Sequence, residues 1–193
     1  CQPAPMPAPG PGQVRIKTTL AAIHNHDVAT VAGRYGHKPP LPAIGGTEGT
    51  GVVDALGPGV TGLAVGQRVT ANGTGVWADY FLAAAPGVVP LDDAVSDEAA
   101  AQLIAMPLSA LALLEVLAVP AGAWLVQNAA NGAVGKALDR FARARGVNVL
   151  GLVRRADAVA EAGGAHVVAT NDAGWREQVA AIVGEAPIVA AID

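Results

Sequence analysis

Cysteine, aromatic residues and charged residues are all scarce in this 193-residue sequence. Its one cysteine excludes a disulfide framework and a metal cage built from several thiolates. Charged residues make up 15% of the sequence, the net charge is −4 and no basic run is present, so nucleic acid is not an expected partner. Hydrophobic residues make up 52%, which predicts a well-buried globular protein rather than a disordered one.

The sequence also lacks a long uninterrupted apolar run. The most apolar region, residues 99–126, is broken by charged, polar and proline residues, namely Gln102, Pro107, Glu115 and Pro120. We therefore expect no membrane span. No signal peptide opens the sequence, so a cytoplasmic location is expected. The first residue is not Met, and the sequence ends on a strand-like run at residues 188–193. We therefore expect the sequence to be a fragment of a longer protein or to have segments that are not recorded.

The two halves of the sequence differ in their periodicity. Residues 1–13 are rich in proline and glycine and should be extended. Short strand patterns separated by glycine turns follow at residues 14–21, 52–53, 75–82 and 88–90, and they predict a small β-barrel domain over residues 1–95. From Ser96, a predicted helix N-cap, the period becomes helical, and Pro107 predicts the start of a second helix. Residues 96–193 are predicted to form an α/β domain.

A glycine turn at residues 128–135 joins a predicted strand to a predicted helix, and a second strand ends near Val153. One βαβ unit is therefore expected. The turn contains Ala130-x-Gly132-x-x-Gly135, a dinucleotide fingerprint with alanine in the first glycine place. Gly132 would let the backbone approach a pyrophosphate, Gly135 would let the helix pack closely, and N–H groups at the helix start would hold the anion. The predicted cofactor residues here are Asn128, Ala130, Asn131, Gly132, Ala133, Val134 and Gly135. The alternative is a glycine-rich turn in an ordinary α/β unit.

The end of the second strand predicts which dinucleotide binds. An NAD site usually places a carboxylate about twenty residues past the glycines, where it bonds the ribose 2′-hydroxyl. This sequence has Arg154 and Arg155 there, and the first carboxylate is Asp157. Because guanidinium groups bind phosphate through paired donors, NADP(H) is the predicted cofactor. The alternative is a pair of solvated surface arginines.

Motif order and sequence together resemble the medium-chain dehydrogenase/reductase superfamily. The segments PAIGGTEGTGVV at residues 42–53 and VTGLAVGQRV at residues 60–69 are similar to its barrel signatures. The resemblance implies a fold of class α/β plus β, with a GroES-like partial barrel followed by an incomplete Rossmann domain. It covers nearly the whole sequence but only the first half to two-thirds of a family member. Full-length relatives usually pair through a sheet edge, so a homodimer is implied for the full-length form.

Within the superfamily, the sequence resembles the zinc-independent branch. Zinc-dependent members have Cys and His where this chain has His24 and Thr47, and a catalytic zinc needs three protein ligands. His24 and His26 with Asp27 could be considered as a metal pair, but no third ligand lies nearby, so no metal is predicted. His24 and Asn25 are instead expected to be polar residues that line the substrate cleft.

The segment WLVQNAANGAVG at residues 124–135 is similar to the fingerprint of 2-enoyl thioester reductases, with quinone reductases next. That resemblance implies that Tyr35, in the segment GRYG, is the active-site tyrosine and that Ser109, in PLSA, lies beside the nicotinamide. The implied reaction is conjugate reduction of a small-molecule enoyl thioester by NADPH, with Tyr35 meeting the charge that develops on oxygen. Two alternatives are a quinone or aldehyde reductase and an NADPH-binding module without turnover. The segment His24–Asp27 differs from the sequence Asn-Pro-Ser-Asp that is common in enoyl reductases. The resemblance therefore leaves the identity of the substrate open.

Overall fold

The computed structural model describes residues 3–193; the ends of the predictions that fall on Cys1 and Gln2 lie outside the described residues. The chain divides into two compact units, Cys1–Ala105 and Met106–Asp193. The domain boundary predicted between residues 95 and 96 stays a prediction. Within residues 3–193, no helix has both the length and the apolar character required to cross a bilayer.

The first unit is built on a five-stranded antiparallel sheet. Its strands are β1 (Gln13–Ala21), β2 (Glu48–Leu56), β3 (Arg68–Asn72), β4 (Tyr80–Ala84) and β5 (Val88–Pro90), in the spatial order β4-β1-β2-β3-β5. Two helices accompany it, α1 (Asn25–Val31) and α2 (Asp97–Ala100). Ser96 caps α2 by accepting the Ala99 N–H at 3.3 Å, as the sequence predicts.

Alternation of apolar and polar residues places the core of this unit on one face of the sheet, because side chains alternate between the two faces of a strand. Val14 and Ile16 on β1 are fully buried, and Arg15 between them is not. The buried residues that make up the core are Val14, Ile16, Val53, Val69, Ala71, Val76, Phe81, Ala83 and Val88.

One predicted strand, residues 75–82, is wrong over its first half. Regular pairing begins only at Tyr80. The preceding residues turn away because Gly75 has a φ of +73° and Trp77 bonds a different loop. The Trp77 backbone N–H donates to the Gly45 carbonyl at 2.9 Å, and its indole N–H donates to the Ala22 carbonyl at 2.9 Å.

The second unit is a four-stranded parallel sheet with helical connections. The strands are β6 (Trp124–Gln127), β7 (Asn148–Val153), β8 (His166–Ala169) and β9 (Ile188–Ile192), and the helices are α3 (Ala105–Leu117), α4 (Ala133–Ala144), α5 (Ala158–Ala162) and α6 (Trp175–Val183). Helix α3 begins two residues before the predicted Pro107, a position that tolerates proline because first-turn N–H groups have no acceptor within the helix. The predicted architecture of a β domain followed by an incomplete doubly wound sheet is confirmed.

The order of the strands reverses direction at β6. The spatial order is β8-β7-β6-β9, so the chain moves outward from β6 in one direction and later returns to add β9 on its other side. Such a reversal is the topological switch point at which open α/β sheets bind ligands, outside the carboxyl ends of the strands. Helix α4 packs beside this point through Leu138 and Ala142, which are buried with Leu125 and Val149.

Candidate active site and cofactor-binding turn

Tyr35 lies in the loop that follows α1 in the first unit. Its backbone N–H donates to the Ala29 carbonyl at 3.2 Å, which holds the loop against the end of the helix. Tyr35 is 44% exposed, so a small molecule can reach it. The ring lies beside the imidazole of His26, with ring centroids 5.7 Å apart and planes tilted by 34°. The tyrosine predicted as catalytic is therefore accessible and has a histidine as its neighbour.

Three side chains behind Tyr35 form a hydrogen-bonded row. The Thr47 hydroxyl donates to Oδ1 of the buried Asp27 carboxylate at 3.0 Å. Nε2 of His26 lies 2.7 Å from the same hydroxyl oxygen. The other oxygen of Asp27 accepts the backbone N–H of His24 at 2.9 Å, which fixes the first turn of α1. This row brings together two residues of α1 and the residue that precedes β2.

Glu48 forms a second buried polar group in this unit. It is fully buried, and its Oε2 lies 2.8 Å from Nε2 of His24. Its other oxygen accepts the backbone N–H of Ile104 at 2.5 Å. Since a carboxylate can only accept, His24 donates from Nε2. The buried charge is thus hydrogen-bonded on both oxygens, which is the condition for burying a carboxylate without a large desolvation cost.

A cavity of about 270 Å³ opens beside His24. Its walls are the run Leu20–His24 at the end of β1 and, from α2 and the residues after it, Glu98 and Gln102. The predicted cleft residue His24 lines this cavity. Asn25 does not line it and is exposed at the first residue of α1.

Glu48 is a site residue that the sequence pattern does not predict, although it lies in a segment that resembles a barrel signature. The available signal was a carboxylate at the start of a strand whose neighbours are glycine, threonine and valine. Across residues 3–193, no group of three or more His, Cys, Asp or Glu side chains is placed to hold a metal ion.

The predicted cofactor residues cluster in the second unit, at the switch point. Asn128 is the residue directly after β6. Its backbone N–H donates to the Ile192 carbonyl, and its side-chain amide donates to Asp193. These hydrogen bonds connect the turn to the end of β9. The buried Gln127 donates from its side chain to the Gly135 carbonyl at 2.9 Å and holds the start of α4 against β6. Gln127 therefore positions the turn, a role that the sequence pattern does not predict.

The small residues of the turn are required by close backbone packing. A Cβ on Gly135 would lie 2.9 Å from the Cα of Ala130 and from the carbonyl oxygens of Ala129 and Ala130. Ala130, which replaces the first glycine of the fingerprint, fits because it faces Gly151 of β7. A Cβ on Gly151 would lie 2.7 Å from the Cβ of Ala130. The Ala130 N–H also donates to the Leu152 carbonyl at 3.1 Å, so the turn lies directly against β7.

The start of α4 is suited to bind an anion. Gly132 is the N-cap and no side chain caps the helix. The first intrahelical bond of the turn runs from the Lys136 N–H to the Gly132 carbonyl at 2.9 Å. The N–H groups of Ala133, Val134 and Gly135 precede it and have no acceptor within the helix, so they point outward with the positive end of the helix dipole.

We expect Gly135→Ala to destabilise the second unit. The added Cβ would meet backbone atoms, which cannot rotate away, and overpacking of this kind costs about 1–3 kcal/mol of the free energy of unfolding. Urea denaturation followed by tryptophan fluorescence would measure the loss. The control is Gly87→Ala, where an added Cβ meets nothing within 4 Å. Equal stability of the two variants would contradict the packing role of Gly135.

Comparison with known proteins identifies the first unit. Residues 10–93 match the family model of the alcohol dehydrogenase GroES-like domain. The chain is 34% identical over 152 residues to the mitochondrial enoyl-[acyl-carrier-protein] reductase of Caenorhabditis elegans, covering 77% of this chain and 44% of that protein. It is 35% identical over 144 residues to the human mitochondrial enoyl-[acyl-carrier-protein] reductase, covering 73% of this chain and 39% of that protein. The chain thus spans less than half the length of these relatives.

Solved structures extend the likeness to the whole chain. A mycobacterial protein complexed with NADPH superposes with a TM-score of 0.86 at 30% identity, covering all of this chain and 61% of that one. This chain belongs to the medium-chain dehydrogenase/reductase superfamily. A Bacillus thuringiensis protein named as an NADPH:quinone reductase also superposes on it with a TM-score of 0.86, at 28% identity, covering 98% of this chain and 59% of that one.

In this member of the superfamily, the two arginines after β7 differ in their surroundings. Arg155 donates from Nε to Asp157 at 3.0 Å, and this hydrogen bond lowers the pKa of the exposed Asp157 carboxyl and raises that of Arg155. Arg154 is exposed and, within residues 3–193, its side chain forms no hydrogen bond or ion pair. The guanidinium of Arg154 is therefore available to bind an anion. Arg155 would first have to give up its hydrogen bond to Asp157.

The remaining predicted residues are divided between the two units. Ser109 is exposed on α3, in the second unit. Tyr35, His24 and Asn25 belong to the first unit.

Proposed function

We propose that this chain contains the barrel and the first Rossmann half of an NADPH-dependent oxidoreductase that reduces the activated C=C bond of a 2-enoyl thioester. The observation that carries the proposal is the glycine turn at the switch point of the second sheet. There, outward N–H groups of α4 and the available Arg154 lie in one unit, at the ends of neighbouring strands. The named activities of the relatives support the same reaction class.

The residues present fit NADPH. The N–H groups at the start of α4 suit a pyrophosphate, since Gly132 and Gly135 carry no Cβ toward it or toward the turn. Arg154, with Arg155 beside it, suits a 2′-phosphate, and the first carboxylate after β7, Asp157, already binds Arg155. The chemistry that NADPH supplies when bound is hydride donation to the β-carbon of the unsaturated thioester.

Tyr35 is the proposed donor to the oxygen on which negative charge develops. A phenol placed at that oxygen stabilises the charge and can pass on its proton. Two observations support this role: Tyr35 is 44% exposed, and its backbone N–H holds the loop to the Ala29 carbonyl. Ser109 is proposed to contact the nicotinamide end of the cofactor, on the resemblance of its segment alone.

We also propose that the reaction proceeds without zinc. His24 stands where zinc-dependent relatives have a cysteine ligand, but its Nε2 donates to Glu48 and so presents no lone pair there. Thr47 stands in the other ligand place, and its hydroxyl is held by Asp27 and His26. A cytoplasmic location and a homodimeric full-length form stay predictions; the enoyl reductase relatives are named as mitochondrial.

The deciding experiment follows NADPH oxidation by the intact protein with three acceptor classes: a crotonyl thioester, a quinone and an aldehyde. We expect the thioester to be reduced fastest. Faster reduction of the quinone would favour the second candidate function, a quinone reductase, which the named Bacillus structure supports. NADPH binding without oxidation by any acceptor would contradict an enzymatic role.

Arg154→Ala is expected to weaken NADPH binding by about tenfold or more, because a charge-assisted contact to phosphate contributes about 1.5–3 kcal/mol. NADH binding should not change, since NADH lacks the 2′-phosphate. Arg155→Ala is expected to have a smaller effect, because Arg155 already binds Asp157. Titration of cofactor binding by calorimetry would measure each dissociation constant.

The control for these variants is Arg145→Ala, which removes an exposed guanidinium that pairs with Glu115 at 2.6 Å in the same unit. It should leave both affinities unchanged. Equal affinity of the parent protein for NADPH and NADH would contradict the assignment of NADP(H).

A further inference from the structure

His26 is a polar group of the first unit that the proposed reaction does not yet use. Its ring is stacked on that of His24, with centroids 5.2 Å apart, and it lies next to the ring of Tyr35. Its side chain is 24% exposed, which leaves one part of the ring open. The groups that face it are Tyr35, His24, Thr47 and Asp27.

The hydrogen bonds around Thr47 determine which nitrogen of His26 carries a proton. A carboxylate only accepts, so the hydroxyl proton of Thr47 points to Asp27. A hydroxyl has a single proton, and therefore the contact of 2.7 Å between Thr47 and Nε2 of His26 requires a proton on Nε2. Neutral His26 is then the Nε2–H tautomer, whose Nδ1 carries a lone pair.

Nδ1 of His26 has no hydrogen-bond partner within residues 3–193. The arrangement has the parts of a positioned acid–base group: an imidazole with one open nitrogen and a second nitrogen held by a hydroxyl, which a buried carboxylate orients in turn. The Asp27 carboxylate also lies close to the ring, with its Oδ1 3.6 Å from Nε2 of His26.

From this geometry we infer that His26 is a positioning residue that restores the proton of Tyr35 during the reduction; the inference rests on the proposed function. The Tyr35 O–H bond breaks as its proton passes to the reduced substrate. A new O–H bond forms on Tyr35 as the Nδ1–H bond of the imidazolium form of His26 breaks, which leaves the neutral Nε2–H tautomer. Nδ1 then takes a proton from solvent, so each turnover consumes one proton in this step and no electrons move.

The first test measures the tautomer and needs no activity. Two-dimensional ¹H–¹⁵N spectra of the imidazole rings of the intact protein should show neutral His26 protonated at Nε2. Thr47→Val removes the hydroxyl with little change of shape, and we expect it to mix the two tautomers. A parent protein with His26 protonated at Nδ1 would overturn the inference.

The second test measures turnover of NADPH with the crotonyl thioester. His26→Gln keeps a donor for Thr47 but cannot carry a transferable proton, and we expect turnover to fall about 10²-fold with unchanged NADPH affinity. His26→Ala should lose as much, and added imidazole should restore part of it, which a purely structural role does not predict.

The outcomes separate the inference from the proposed function. Turnover of His26→Gln within twofold of an active parent, with the same pH dependence, would overturn the role of His26 alone. A well-folded His26→Ala that imidazole does not rescue would also overturn it. A parent protein that reduces none of the acceptors would instead overturn the proposed reduction.

Discussion

Glu48→Ala is expected to lower the free energy of unfolding of the first unit by about 2–6 kcal/mol, because two donors lose their buried acceptor. The substitution removes a fully buried side chain that binds Nε2 of His24 and the backbone N–H of Ile104. Both donors would lose their acceptor, and a buried donor without a partner costs about 1–3 kcal/mol by itself. Urea or thermal unfolding of the variant and the parent would measure the difference.

The matched control is Glu98→Ala, which removes an exposed glutamate of the same unit and should change stability by no more than about 0.5 kcal/mol. A double-mutant cycle with His24→Ala isolates the coupling between the two side chains, because residues in contact show non-additive effects. Similar stability of Glu48→Ala and Glu98→Ala would contradict a stabilising role of the buried carboxylate.

The glycine turn could be predicted from sequence because its determinants are local. Strand β6, the turn, α4 and β7 lie within one stretch of chain, and each is marked by a short pattern: an apolar run, spaced glycines, an amphipathic helix and a valine-rich strand. The geometry gives Gly135 the close packing that the fingerprint requires. The parallel pairing of β6 with β7 follows from the same βαβ unit, because its crossover brings the two strands side by side.

The polar groups of the first unit could not be predicted in the same way, because their partners are distant in sequence. Glu48 meets His24 across 24 positions and Ile104 across 56. Only the folded β1–β2 pair and the approach of the chain after α2 bring these groups together. The half-wrong strand at residues 75–82 has a similar cause, since the contacts of Trp77 with Ala22 and Gly45 replace pairing that its own sequence would allow.

The arginine pair shows a limit of composition alone. Both residues were predicted to bind a 2′-phosphate on their charge and place after β7, and sequence treats them as equivalent. The structure distinguishes them, because Asp157, two positions after Arg155, accepts from its guanidinium. The phosphate-binding role of both residues stays a prediction, and Arg154 is the one expected to dominate it.

Tyr35→Phe is expected to reduce turnover with a crotonyl thioester by about 10²–10³-fold, the loss measured when one donor to a developing oxyanion is removed. The variant lacks only the hydroxyl. It keeps the ring that lies beside His26 and the backbone bond to Ala29, so the loop should retain its conformation. NADPH affinity should not change, because the proposed cofactor residues that hold its phosphates belong to the second unit.

The chain offers a matched control, since Tyr80 is its only other tyrosine. Tyr80 lies on β4 with the guanidinium of Arg15 over its ring at 5.8 Å, and Tyr80→Phe preserves that ring. Turnover and NADPH affinity of Tyr80→Phe should match the parent. If Tyr35→Phe also retained turnover within twofold, the hydroxyl of Tyr35 would have no part in the reaction, and the proton supplied by His26 would need another acceptor. A loss confined to Tyr35→Phe would place the proton donor in the loop after α1, because the two variants delete the same atom from different elements of one barrel.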